Sequence, residues 1–180
     1  MHLFLPCYAA LQKKGNGMEI LVFSDSHLSP LPMMRVLHAH KDTAMILFCG
    51  DGVSDISRVS YEFQGLPVRA VRGNCDFNAE NAFPDEDVFT VGGVRIFLTH
   101  GHLYDVKHSL GRLLLAAKAK EASIAVFGHT HIPTERYETV GDKTIALFNP
   151  GSIGMKADGK YHYGVIEIRN GSFLLSHGTI

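Results

Sequence analysis

The sequence is short of most features that would assign it at once. Its formal charge is -1 over 180 residues, so it has no global positive field with which to track a nucleic-acid backbone or an anionic membrane. No basic stripe interleaved with aromatic residues is visible either, and a nucleic-acid partner is disfavoured on both counts. Cysteine is scarce: Cys7, Cys49 and Cys75 form neither a CxxC pair nor an even set. That argues against a zinc ribbon or a disulfide framework and favours a reducing, cytoplasmic setting. No uninterrupted apolar run is long enough to span a bilayer, so a membrane role is not expected. Internal repeats, low-complexity tracts and a linker long enough to divide the chain are also lacking, which leaves one domain.

What is present is a hydrophobic fraction of 46%, enough apolar material for a real core at this length, and 11 histidines that gather in short loops. The first 17 residues stand apart. Lys13 and Lys14 follow the apolar piece Leu3-Phe4-Leu5, the reverse of a secretory signal, so export is disfavoured. The Gly15-Asn16-Gly17 break before Met18 suggests that 1–17 is an extension, from an alternative translation start or from cloning, and that the domain proper is 18–180. The other reading is a short packing arm, whose apolar character would suit a homodimer or higher homo-oligomer.

From Met18 the order is regular. Glu19 to Phe23 and Met45 to Cys49, apolar throughout but for Glu19, are runs of strand length, as expected for strands buried on both faces, and Val68 to Val71 reads as a third strand. Helices are expected from Pro30 and Pro32 through His40 and from about Ile56 to Phe63. Strands alternating with helices argue for βαβ units around a parallel sheet, whose ligand site lies off the carboxyl ends of the strands. The second half reads as mostly antiparallel. Its hairpins are expected around Gly92-Gly93, Gly141-Asp142 and Asn170-Gly171, with a helix over 109–122 capped by Ser109.

Five polar clusters sit at the ends of these runs: Asp25-Ser26-His27, Gly50-Asp51-Gly52, Gly73-Asn74-Cys75-Asp76, Thr99-His100-Gly101-His102 and Gly128-His129-Thr130-His131. Each alone is ordinary turn chemistry. Together they supply carboxylate, imidazole and amide donors with no thiolate-rich set, a mixture that suits Mn²⁺, Fe, Zn²⁺ or Ni²⁺ without choosing among them. Asp25, His27, Asp51, Asn74, His100, His129 and His131 are too many for one catalytic ion that keeps an open position, and they suit two. A bridging carboxylate would set the ions about 3.5–4 Å apart, the spacing that activates water and clamps a phosphoryl group. Two divalent ions against Asp25 and Asp51 leave the site cationic, which attracts an anionic substrate.

In this order the clusters resemble those of the calcineurin-like metallophosphoesterases, and most of all their small bacterial and archaeal YfcE-type phosphodiesterases. The resemblance implies a four-layer α/β/β/α sandwich with two mixed sheets face to face. It also implies one metal held by Asp25, His27, Asp51 and His131 and a second by Asp51, Asn74, His100 and His129, with Asp51 as the bridge. Manganese is the first expectation, with nickel, iron or zinc as alternatives. The implied function is hydrolysis of a small phosphodiester by a metal-bound hydroxide. A phosphomonoesterase on the same site is one alternative; a protein-interaction scaffold, the role of the retromer subunit that shares this fold, is another.

One departure bears on mechanism. Many members of the superfamily carry histidine after the asparagine of the third cluster, where it approaches the leaving group; here that place holds Cys75. A thiol is a poor acid for an alkoxide, which favours diesters or activated leaving groups. His102 is the nearest candidate to replace the imidazole, Asp76 could orient a ligand or a neighbouring side chain, and Arg72 is a candidate phosphate contact. Asn149-Pro150-Gly151-Ser152 is expected to be a structural turn, with shaping of the pocket rim as the other reading.

Overall fold

Residues alternate in β1 (Met18–Phe23) between two apolar environments. Ile20 and Val22 face one core cluster, Leu21 and Phe23 another. The same division runs through β2 (Met45–Phe48), with Met45 and Leu47 on one side and Ile46 and Phe48 on the other. A strand with no polar face must be covered on both sides, and that requirement sets the architecture. The structure is a computed structural model and describes residues 17–77, 79, 82–156 and 158–180. The proposed extension therefore lies outside the described residues except for Gly17.

The first sheet has the order β10-β9-β1-β2-β3, where β3 is Val68–Ala70, β9 is His162–Arg169 and β10 is Ser172–Thr179. β1, β2 and β3 run parallel, joined by α1 (Pro30–Ala39) and α2 (Val53–Glu62). The last hairpin adds to the β1 edge antiparallel. The second sheet has the order β4-β5-β6-β8-β7, comprising Glu86–Val91, Val94–Thr99, Ile124–Val126, Lys143–Asn149 and Thr134–Val140 in that spatial order. Its edges are antiparallel hairpins, but β5, β6 and β8 at its centre are parallel. The expectation of a mostly antiparallel second half missed this centre, because α3 (Gly111–Ala119) makes a further βαβ crossover between β5 and β6.

Four layers follow from the side chains. Val22, Leu47, Ile96, Leu98, Val126 and Phe148 belong to the cluster between the sheets. Met33, Val36 and Val59 of α1 and α2 cover the outer face of the first sheet. Leu113 and Ala117 of α3 cover Phe97, Ala125 and Leu147 on the outer face of the second.

Two helix boundaries differ from expectation for local reasons. α2 begins at Val53 rather than near Ile56, because its first N–H groups are met by a carboxylate from a distant loop, described below. α3 begins after Leu110, not Ser109, although the Ser109 hydroxyl oxygen still accepts the Gly111 N–H at 3.1 Å. It stops short of Ala122 because Glu121 turns into the left-handed region at φ 56, letting Ala122 donate back to the Ala117 carbonyl at 2.9 Å.

Candidate metal centre

The carboxyl ends of the two parallel sets meet at one edge of the sandwich. Gly128 N–H donates to the His100 carbonyl at 3.0 Å within the second sheet's loops. His129 N–H reaches across to Asp25 Oδ2 at 3.2 Å, and Ile153 and Gly154 donate to the carbonyls of Ser24 and Asp25. The loops that end the strands are thus tied to one another, and the side chains they carry converge.

These loops hold an uncommon backbone. Asp25, His27, Asp51, His129 and His131 all lie at positive φ, between 46 and 66°. Non-glycine residues rarely occupy that region and do so at a cost, which concentrates at functional sites. The turns are also packed too tightly for a side chain at Gly50, Gly52, Gly73 and Gly128. A Cβ at Gly73 would stand 2.1 Å from Asp51 Oδ1, and one at Gly128 would stand 1.9 Å from the Ser24 hydroxyl oxygen and 2.9 Å from Asp25 Oδ2.

Two groups of donor atoms result. Asp25, His27 and His131 offer atoms within 4.8 Å of one another, as do Asp51, His100 and His129. Asn74 joins the second through Oδ1, 3.1 Å from His100 Nε2. Asp51 also forms a group with His27 and Cys75, so its carboxylate adjoins both sets.

The arrangement fits cations. Asp25 is fully buried, and its Oδ1 has no hydrogen-bond partner among the described residues. A bare buried carboxylate oxygen is costly unless a cation or donor meets it. His131 Nε2 lies 3.1 Å from that oxygen and 3.4 Å from His27 Nε2. In the second group, His100 Nε2 lies 3.2 Å from His129 Nδ1 and 3.5 Å from Asp51 Oδ2. Ligands about 2.1 Å from an ion stand roughly 3 Å apart when adjacent, the scale of these separations.

The electrostatics of these groups agree. Burial opposes ionisation of Asp51, but the His100 imidazole and the Cys75 N–H outweigh it and hold the carboxyl well below the usual range. Burial, with His100 and Lys107, pushes His129 down to about 4, leaving a neutral ring with a free lone pair. For His100 burial acts downward too, yet the hydrogen-bonded Asp51 carboxylate raises it overall. Its Nδ1 donates to the Cys49 carbonyl at 2.7 Å, which turns Nε2 towards the site.

The sequence from 18 to 171 matches the Calcineurin-like phosphoesterase superfamily domain. The chain belongs to that superfamily. A probable metallophosphoesterase of Bacillus subtilis, YsnB, is 30% identical over 155 residues, covering 85% of this chain and 86% of that protein. The phosphodiesterase MJ0936 of Methanocaldococcus jannaschii is 29% identical over 150 residues, covering 74% and 83%. Among solved structures, a conserved protein of Streptococcus pneumoniae described as a predicted phosphoesterase superposes with a TM-score of 0.73 at 31% identity, over 91% of this chain and 90% of that one. The chain is accordingly a metal-dependent phosphoesterase of the calcineurin-like superfamily, in the four-layer fold its sequence resembled.

Within this calcineurin-like domain the remaining candidates take distinct places. Cys75 is exposed; its N–H donates to Asp51 Oδ1 at 2.7 Å, and burial of the thiol with the Asp51 carboxylate beside it pushes its pKa up to about 11. His102 sits in a short 3-10 turn, His102–Tyr104, with its ring centroid 5.3 Å from that of His100 and 6.2 Å from that of His129. Burial and the neighbouring His100 lower its pKa. Arg72 pairs with Asp85, Nη2 to Oδ1 at 2.9 Å, so its guanidinium is engaged.

Asp76 does not offer its carboxylate to the donor groups. Oδ2 accepts the N–H groups of Asp51 and Gly73, both at 2.8 Å, and Oδ1 those of Gly52 and Val53 at 2.9 and 3.1 Å. It caps α2 and pins the second cluster to the third.

Asn149, expected in a structural turn or at the pocket rim, holds the turn that bears His129 and His131, a role that the motifs did not disclose. Its amide donates to the Gly128 carbonyl at 2.8 Å and to the Thr130 hydroxyl at 3.1 Å, while its oxygen accepts the Gly151 N–H at 2.9 Å. The Asn149-Pro150-Gly151 spelling hinted at a side-chain-closed turn, but nothing local tied it to His129 and His131.

Proposed function

We propose that the chain is a phosphodiesterase that works with two divalent ions, one held by Asp25, His27, Asp51 and His131 and the other by Asp51, Asn74, His100 and His129. The observation that carries this reading is the meeting of two donor groups at Asp51, on loops held at positive φ. Manganese is the proposed ion and the cytoplasm the proposed setting. When bound, such ions lower the pKa of water and neutralise phosphoryl oxygens during an in-line displacement.

The chain's own residues supply the positioning. The Cys49 carbonyl fixes the His100 tautomer, Asn149 holds the turn bearing His129 and His131, and Asp76 holds the loop bearing Asp51. Preorganised donors of this kind need no rearrangement as charge develops. Beside Asp51, Cys75 presents a neutral thiol, a poor proton donor to an alkoxide. That favours phosphodiesters, or esters with leaving groups that depart unprotonated, over alkyl monoesters; the name of the archaeal relative agrees. His102 is proposed as the side chain that serves the leaving group.

The test is hydrolysis of bis-p-nitrophenyl phosphate by purified protein with Mn²⁺, at a higher kcat/KM than p-nitrophenyl phosphate. Asp51→Ala should lose both activity and the binding of two ions. Inactivity with Mn²⁺, Ni²⁺, Fe²⁺ and Zn²⁺ alike would reject the enzyme and leave the scaffold.

A further inference from the structure

Beside the donor groups lies a cavity of about 510 Å³, whose wall includes His27, Asp51 and Cys75. Its remaining lining is mostly apolar: Leu28, Val53, Phe77, Ala79, Ala82 and Phe83, with the hydroxyls of Ser54 and Ser57 as polar points. Two of these side chains are out of place for a stable surface. Leu28 and Phe77 are each 78% exposed, and Leu28 is held at φ 63, a conformation in which a branched apolar residue is strained. Neither adds to the core, so folding does not account for them.

The charges around the cavity are as informative. No lysine or arginine among the described residues lines it, and the Asp76 carboxylate at its wall is occupied by four backbone N–H groups. A second anionic group on a ligand would find no cationic side chain among the described lining residues. A neutral ring would cover Leu28 and Phe77 and could meet a serine hydroxyl with its polar edge.

We propose that this cavity receives an ester substituent of the substrate and selects a neutral, ring-sized apolar group, so that Leu28 and Phe77 are specificity-determining residues. The inference rests on the phosphoesterase reading, since it takes the phosphate to sit at the donor groups.

Two non-hydrolysable probes test it by calorimetry on the Mn²⁺-loaded protein: methylphosphonate and phenylphosphonate. Removing about 80 Å² of ring surface from water corresponds to roughly a 30-fold gain in affinity, and about tenfold after the ring is ordered. Phenylphosphonate should therefore bind about tenfold more tightly than methylphosphonate. 4-Carboxyphenylphosphonate should lose that advantage. In Phe77→Ser and Leu28→Ser the phenyl-to-methyl ratio should fall towards one; damage to the metal centre would weaken both ligands together and leave the ratio intact. Equal affinity of the two probes in the unmutated protein, or a ratio preserved in both variants, would overturn the inference while leaving the phosphoesterase reading in place. If neither phosphonate bound and no metal were retained, both would fall.

Discussion

Replacing Asp76 by asparagine changes one carboxylate oxygen into an amide nitrogen where four N–H groups converge. Two of them, from Asp51 and Gly73, lie 2.8 Å from Oδ2, and two, from Gly52 and Val53, lie 2.9 and 3.1 Å from Oδ1. Whichever way the amide turns, its NH₂ faces two donors, so two charge-assisted bonds are lost. Bonds to charged groups contribute about 1.5–3 kcal/mol each, and the remaining pair weakens when the charge goes. Discounted for the half-buried position, the loss is about 3 kcal/mol, or a Tm lower by roughly 6–12 °C for a domain of this size. The same substitution frees Asp51 and the loop packed on it, so Mn²⁺ affinity should fall although every proposed ligand is still present. Calorimetric Tm and metal titration of Asp76→Asn check both. A Tm within 2 °C of the parent together with unchanged metal affinity would refute the positioning role.

Other substitutions probe the same construction. Gly73→Ala places a Cβ 2.1 Å from Asp51 Oδ1; metal content measured by elemental analysis should drop, with secondary structure by circular dichroism retained. Asn149→Ala removes two bonds to the Gly128–Thr130 turn and, at about 1 kcal/mol for each lost bond, should lower Tm by several degrees and kcat on bis-p-nitrophenyl phosphate by more than it raises KM. His102→Ala should lower turnover on the same diester while metal content stays intact, and unchanged kinetics would remove His102 from the mechanism.

Four of the clusters could be seen in the sequence because each follows a largely buried strand. A polar residue one or two positions after Phe23, Cys49, Thr99 or Phe127 has to emerge at the carboxyl edge, and there the parallel order brings Asp25, Asp51, His100 and His129 together. What stayed hidden depends on partners distant in the chain. The start of α2 is set by Asp76, a loop residue 23 positions after Val53, so no local cap spelled it out. Asn149 supports His129 and His131 from across a strand junction. The parallel centre of the second sheet was masked by the hairpins at its edges. Likewise, the cavity draws its lining from residues as distant in the chain as Leu28 and Phe83, a neighbourhood that no periodicity in the sequence reports.

The central claim is that Asp51 joins two ion sites, and the most direct measurement is the number of Mn²⁺ ions per chain by native mass spectrometry. The unmutated protein should carry two. His131→Ala should lose the ion shared with Asp25 and His27, His129→Ala the one shared with Asn74 and His100, and Asp51→Ala should bind neither tightly. A single ion in the unmutated protein, lost equally on replacing His129 or His131, would contradict the account.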